Sequence, residues 1–474
     1  MSSEVFLKIY KTKRVSELAK KHNSPEVLSR ELQSRHIELI ALGGAIGVGL
    51  FLGSATAIKS AGPAIIVNYI IAGVIIFLIM RALGELVMYK PVSGSFSTYA
   101  AEFIGDWAGF FTGWTYWFMW IVIGMAEITA IGKYVNLWFP KIDTWIPALI
   151  SLVVIYLINM IAVKVFGEVE FWFAIIKVVT ILVLILVGLL IIFTGFGNNG
   201  HATGFSNLWS HGGFFAQGLN GLLLSLQMVM FAFIGVELIG ITAGEAKDPE
   251  KTIPKAIDSV IWRILIFYVG SLTVILAIYP WTQLQENVSP FVLTFEKVGI
   301  VGAAMIINMV VLTAALSSCN SGVFSSGRML FNLSTLGQAP YGFQKVNHRS
   351  IPSKAITVST LFLLIGVALN YFIPQKAFTY ITSIGTVGAV WTWIIIMFAH
   401  LKYHQKVKEG KIKRSHFRMP GAPVTNWIVI LFLIGVLILM AFDAGTRIAL
   451  IVGPIWFIIL TIGYQVVKRK KLAQ

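Results

Sequence analysis

An all-α polytopic membrane protein is the fold this sequence predicts, with twelve transmembrane helices arranged as a five-plus-five inverted repeat and two peripheral helices. Three observations predict it: the apolar content, the number and length of the apolar runs, and glycine-rich interruptions in the first and sixth of them. Of 474 residues, 57% are apolar and 12% charged, where a soluble domain runs nearer half and a quarter. One bilayer crossing takes roughly 20 apolar residues. The apolar residues therefore line about a dozen crossings and leave little for a soluble domain.

The apolar runs fall near residues 37–59, 63–88, 107–136, 145–163, 170–194, 216–243, 259–279, 298–330, 353–373, 378–400, 425–442 and 448–467. They are too long and too uniformly apolar for barrel strands of about 10 residues, and lipid offers an open backbone no partner, so each span is helical. Residues 1–36 form a polar, basic segment, which predicts no cleavable signal peptide. The expected organisation is this N-terminal segment, a first repeat over 37–200, a second over 201–402, and a last part over 403–474 with a cytoplasmic loop, two helices and a short basic tail.

A formal charge of +16 would suggest nucleic acid in a soluble protein. Here topology explains it. With both termini placed in the cytoplasm of a bacterial cell, thirty of the thirty-seven Lys and Arg fall on that side, six on the other, and Lys177 lies inside a span. The basic residues are spread over separate loops without stacking aromatics, so no nucleic-acid partner is expected. The tail Lys468-Arg469-Lys470-Lys471 reads as a stop and an anchor to lipid headgroups. Cys319, the single cysteine, excludes an intrachain disulfide. The histidines sit mostly in loops or at span ends and no catalytic or nucleotide motif is present, so no metal, no cofactor and no enzyme is expected.

The first span carries Gly43-Gly44-Ala45-Ile46-Gly47-Val48-Gly49 near mid-membrane. Each glycine weakens a helix by about 1 kcal/mol relative to alanine. Such a run either lets a neighbour pack closely or unwinds, exposing N–H groups that hold a carboxylate. The sixth span, with Gly235, Glu237 and Gly240 in Phe231-Ala-Phe-Ile-Gly-Val-Glu-Leu-Ile-Gly240, favours unwinding. Paired interruptions at matching places in two halves mark an inverted-repeat transporter with its substrate between the breaks.

These residues resemble the amino acid permeases of bacteria in the amino acid–polyamine–organocation superfamily. The resemblance rests on Arg35-His36 through Gly53, on Arg81-Ala-Leu-Gly-Glu85, Ser93-Gly-Ser-Phe-Ser-Thr-Tyr-Ala100, Phe166-Gly-Glu-Val-Glu-Phe-Trp-Phe173, Gly240 through Pro249 and Asn320 through Leu330. It runs in order from about residue 30 to 470. Gly113-Trp-Thr-Tyr-Trp-Phe118 and Ser317-Ser-Cys-Asn-Ser-Gly-Val-Phe324 look most like permeases for D-alanine, D-serine and glycine, whereas Leu226 through Phe233 looks like the proline-specific permeases. The resemblance implies secondary uptake of small neutral amino acids by alternating access, commonly driven by protons. An amino acid sensor on the same fold is the alternative of another class, disfavoured by a tail that ends a few residues past the last span.

The resemblance also implies which groups grip the substrate. N–H groups over Ala45, Ile46, Gly47, Val48 and Gly49 take its carboxylate, and carbonyls from Phe231 to Ile234 take its ammonium. Side chains of Thr115, Met119, Phe233, Ser317, Ser321 and Ser383 read its variable part, each with plain helix packing as the rival reading. Ionised groups inside a membrane cost about 3 kcal/mol even on the lower scales, so each needs a partner or a purpose. Lys177, Glu127 and Glu237 are the candidates for proton coupling, Lys177 standing where related sodium-coupled carriers hold their metal. A structural strut is the competing role for Lys177, and a helix-to-helix hydrogen bond for Glu127. Arg81 and Glu85 are expected to pair one turn apart, and Arg328 to meet Glu245 or Asp248.

Overall fold

A computed structural model describes residues 46–92, 94–161, 163–246, 248–285, 288–297, 302–373 and 377–472. Among the described residues the regular elements are helices, and no strand occurs. They are α1 (Val48–Phe51), α2 (Gly53–Ala61), α3 (Ile65–Tyr89), α4 (Ser95–Phe103), α5 (Asp106–Trp138), α6 (Trp145–Asn159), α7 (Val163–Thr194), α8 (Gly218–Ala232), α9 (Leu238–Thr242), α10 (Pro249–Arg263), α11 (Ser271–Ile278), α12 (Pro290–Lys297), α13 (Ala303–Thr335), α14 (Ser353–Phe372), α15 (Ala377–Lys408), α16 (Val424–Leu439) and α17 (Arg447–Leu472). Among the described residues, eight helical stretches are long and apolar enough to cross a membrane, and α6, α8 and α16 are shorter apolar helices.

Burial ranks the spans. In its apolar window α5 is 83% buried and α17 only 6%, so α5 is the axis of the bundle and α17 its rim. α13, α15 and α14 pack around α5. Glycines let them approach: a Cβ on Gly113 would meet Leu333, one on Gly124 would meet Leu363, and one on Gly388 would meet Met119. The outer helices turn bulky apolar side chains outward, among them Leu186 and Phe193 on α7, Leu431 on α16, and Ile455, Ile458 and Ile462 on α17. A soluble surface does not carry such continuous apolar area; a lipid-facing one does.

The sixth span is interrupted as expected, and at the first the described chain enters in extended form before its helix begins. Gly47 is extended, and α1 starts only at Val48. The part of the first span before Ile46, with Gly43, Gly44 and Ala45, lies outside the described residues. α8 stops at Ala232, and the chain crosses Phe233–Glu237 in turns before α9 resumes at Leu238. Gly235 sits there at φ +104°, a conformation that L side chains rarely adopt. Gly62, at φ +65° and followed by Pro63, ends α2 and redirects the chain into α3.

Three features depart from the sequence expectations. The seventh span starts earlier, at Pro249, and contains a π-helical segment over Ile264–Gly270; residues 249–258 are too polar to register as an apolar run. The amphipathic α4 stands in the connection after the second span, where only a motif was expected. Arg81 and Glu85 do not pair with each other. Arg81 bonds Asp258 at 2.7 Å and the Arg418 carbonyl at 2.6 Å. The fully buried Glu85 accepts from Arg414 (2.8 Å), from the Met419 N–H (2.7 Å) and from His400 (3.0 Å). Tertiary partners on α10, α15 and the 409–423 loop outcompete a local pair worth only a few tenths of a kcal/mol. Arg328 is buried with its guanidinium 3.4 Å over the Phe324 ring; Asp248 pairs with Lys251, and the Glu245 side chain lies outside what is described.

Removing one partner of a buried ionic cluster costs about 3–5 kcal/mol, while an exposed pair is worth about 1 or less. Glu85→Ala is therefore expected to lower the thermal unfolding midpoint in detergent far more than Asp258→Ala. Equal losses would show that the Glu85 cluster is not holding the loop.

Candidate functional site

The two interruptions meet. A Cβ on Gly49 would stand 2.6 Å from the Ala232 Cα, and one on Gly53 would stand 2.7 Å from the Met228 sulfur. The restart of the first helix thus lies directly against the end of α8. Helix ends leave N–H and C=O groups without intrahelical partners, and water cannot supply them in mid-membrane. Where those groups go decides what the site can hold.

At the first break, Glu127 from α5 takes part of the load. Its carboxylate accepts from the Val48 N–H and the Ser318 hydroxyl. A Cβ on Gly47 would come within 2.8 Å of Glu127 Oε1 and 2.9 Å of Ser318 Oγ. The Val48 N–H expected to grip a substrate carboxylate is already held by a carboxylate of the protein. Glu127 Oε2 is buried and has no partner. Ile46 is buried beside them; Ala45 lies outside the described residues.

At the sixth break, the turns consume several carbonyls. Ile234 donates to the Phe231 carbonyl at 3.1 Å and Val236 to that of Phe233 at 3.4 Å. The Tyr268 hydroxyl donates to the Ala232 carbonyl at 3.0 Å, from the π-helical segment. Glu237 turns back on the break, where its oxygens accept from the Gly235 N–H at 3.2 and 3.3 Å. The Tyr116 hydroxyl and the Trp393 indole stand beside that carboxylate, and neither completes a hydrogen bond to it. Phe233 stacks on Tyr268 at 4.7 Å with Tyr69 at 5.9 Å, closing one side of the break.

The face of α5 toward the breaks is set by the helical period. Tyr116, Trp120, Ile123 and Glu127 fall on it, at spacings of four, three and four. Trp120 packs on Gly322 of α13, and Ile123 lies by Phe231 near Gly385 of α15. Thr115 and Met119 are one position off this register. Thr115 accepts from the Trp456 indole of α17 at 3.2 Å, and Met119 packs on Gly388 of α15.

Lys177 is fully buried, and its ammonium donates to the Ser317 hydroxyl at 2.9 Å. Ser317 in turn donates to Glu170 Oε2 at 2.6 Å. Asn320 donates to Glu170 Oε1 at 2.7 Å and accepts from Asn159 at 2.7 Å. One chain of hydrogen bonds therefore ties α6, α7 and α13. Ser317 is committed to it. Sequence reasoning quoted Glu170 within a motif but did not single it out. The available signal was spacing: Glu170 and Lys177 are seven residues apart, two turns along one helix face. Ser383 donates to the Tyr380 carbonyl of its own helix.

Several buried polar atoms around the breaks lack partners: Glu127 Oε2, the Tyr116 hydroxyl, and the Trp120 and Trp393 indole nitrogens; Ser321 lies by Glu170. Each such atom costs about 1–3 kcal/mol. Acceptors and donors left together in a dry centre suit an occupant that carries both, as a zwitterion does.

A lipid-facing bundle with two interrupted helices meeting at such a centre defines a membrane transporter. The family model described as amino acid permease matches residues 36–474, and the chain belongs to that family. It is 57% identical over 437 residues to the uncharacterized amino acid permease YtnA of Bacillus subtilis, covering 92% of this chain and 94% of that one. It is 50% identical over 439 residues to the probable threonine/serine transporter YbxG of the same organism, covering 93% and 95%. To the aromatic amino acid transport protein AroP of Escherichia coli it is 48% identical over 440 residues, covering 93% and 96%. The protein is an amino acid permease of the membrane.

Two outcomes follow from this geometry. Gly47→Val is expected to leave the protein inserted but reduce substrate binding at least tenfold, because the new branch displaces Glu127 and Ser318; calorimetry or scintillation proximity on purified protein measures it. Glu170→Gln and Lys177→Met should each destabilise the protein, and the double variant should be more stable than the sum of the two losses predicts. An additive cycle would disconnect the two residues.

Proposed function

We propose that this permease carries out proton-coupled uptake of small neutral amino acids, with alanine, glycine, D-serine and D-alanine as the substrate class, by alternating access between two inversely related repeats. Its place on this reading is the bacterial cytoplasmic membrane, with both termini in the cytoplasm, which is where the lysine and arginine asymmetry puts them. The observation that carries the proposal is the set of unpartnered polar atoms around Gly47–Val48 and Phe233–Glu237. The substrate ammonium is the natural partner of Glu127 Oε2. Its carboxylate suits the indole and hydroxyl donors of Trp120, Trp393 and Tyr116.

Small size follows from what already fills the centre. Trp120, Trp393, Tyr116, Phe231 and Phe233 are all buried there and leave little room for a large side chain. The hydroxyls of Ser318, Ser321 and Ser325 on α13 favour a short or hydroxylated one. Threonine and serine, for which YbxG is named as a probable transporter, agree with this reading, whereas the aromatic amino acids named for AroP are larger. Buried ionisable groups in a membrane mark ion or proton routes. Glu127, Glu237 and Lys177 are proposed for that route, joined by Glu170.

Competition against labelled alanine uptake, with glycine, D-serine, L-threonine, L-proline and L-phenylalanine as rivals, tests the substrate class. Glycine and D-serine are expected to compete best; proline or phenylalanine winning alone would overturn the assignment. For coupling, Lys177→Ala in proteoliposomes is expected to lower accumulation under an imposed pH difference at least tenfold more than it lowers counterflow. Equal loss would make Lys177 a strut.

A further inference from the structure

The last helix leaves a gap. α17 touches the bundle through few residues, among them Trp456, Ala449 and Leu460. Between it, α5, α14 and the 337–343 segment lies a crevice of about 910 Å³, walled by Trp114, Trp117, Phe362, Trp456, Leu460 and Val467. In lipid no hydrophobic drive closes such a gap, and an empty one forfeits dispersion contacts on every wall.

The chemistry of the walls selects the occupant. The three indole N–H groups are used inside the protein: Trp114 donates to the Gln338 carbonyl at 3.1 Å, Trp117 to Ser359 at 2.9 Å and Trp456 to Thr115 at 3.2 Å. The rings accordingly offer hydrocarbon faces to the crevice. Its mouth is different. Lys470 lines it, with Lys468 and Arg469 exposed beside it on the helix end. Tyr341 lines it too, with the Lys345 ammonium 5.6 Å from its ring centre. No acidic residue is among the lining residues.

We infer that this crevice is a binding site for one anionic phospholipid, its acyl chain between α17, α5 and α14 and its headgroup at Lys470 and Lys345. A long apolar slot with cations at the mouth matches a negatively charged headgroup such as that of phosphatidylglycerol. Basic pockets between helices at a membrane surface bind lipid headgroups in this manner. The bound chain packs on Trp456, whose other edge holds Thr115 and whose ring stacks on Phe118 at 4.5 Å. The lipid thereby completes the contact between α17 and the central helix.

The test is native mass spectrometry of the purified full chain after delipidation and titration with phosphatidylglycerol or phosphatidylcholine. One phosphatidylglycerol is expected to bind in preference to phosphatidylcholine. Lys345→Gln with Lys470→Gln should weaken its retention about thirtyfold, at about 1 kcal/mol for each lysine. Val467→Trp, which fills the slot and leaves the charges, should abolish one-to-one binding. Equal binding of the two lipids, or retention unchanged in either variant, overturns the site. A dimer in detergent that Val467→Trp dissociates overturns it as well, since the crevice would then hold a second copy of the chain.

Discussion

A backbone that loses its helix in the middle of a membrane has to find partners inside the protein, and the rest of this structure is arranged around that requirement. Two short segments, at Ile46–Gly47 and Phe233–Glu237, release N–H and C=O groups where lipid offers none. The protein answers with side chains brought from other helices. Glu127 reaches Val48, Tyr268 reaches the Ala232 carbonyl, and Glu237 folds back on the Gly235 N–H. Glycine at 49 lets the two helices touch at backbone distance, and glycine at 53 leaves room for the Met228 side chain. A side chain at 49 would push the breaks apart.

The buried charges divide into two clusters with different jobs. One, around Glu170, Ser317 and Lys177, binds α7 to α13 and through Asn320 and Asn159 to α6. The other, around Glu85, fastens the 409–423 loop and α15 to the end of α3. Within it the Asn426 amide lies 3.1 Å from His400 Nδ1 and also donates to the Met397 carbonyl. That assignment leaves Nδ1 as acceptor and puts the ring proton on Nε2, aimed at Glu85. His400 thus positions the Glu85 carboxylate.

Much of the fold was legible because lipid imposes strong rules on sequence. Spans, helical type and the two breaks follow from apolar run length and from glycines such as Gly47 and Gly235. The π-helical segment over Ile264–Gly270 left no such mark, since its residues are as apolar as those of any span. The site was half legible. Glu127, Glu237 and Lys177 stand out as charges in apolar runs, but register along α5 does not. Thr115 and Met119 differ from Tyr116 and Trp120 by one position, about 100° around a helix, and only packing against α13 and α17 decides which pair faces the breaks. Glu170 was hidden by its place near the start of an apolar run, where an acid also reads as a solvated helix end. The partners of Arg81 and Glu85 lie more than 170 residues away in the chain, beyond the reach of any local pattern.

On the alternating-access reading, the way polar contacts are distributed between helices bears on mechanism. The central helices α5, α13, α14 and α15 pack on one another, while α2, α3, α8 and α10 form a second packed group around the breaks. Inside the second group the bonds are local and complete, as where Asn68 of α3 meets the Leu222 carbonyl and Ser225 of α8 at 2.6 and 2.7 Å. Across the seam α15 packs on α3 and α8, Gln227 of α8 donates to Thr386 of α15 at 2.8 Å, and two acids reach over: Glu127 of α5 holds Val48, and Glu237 lies beside Tyr116 of α5 and Trp393 of α15. Sliding one group past the other changes the surroundings of these two carboxylates first. A ligand or proton that binds them differently in the two arrangements therefore shifts the balance between them, and by no more than that difference in affinity.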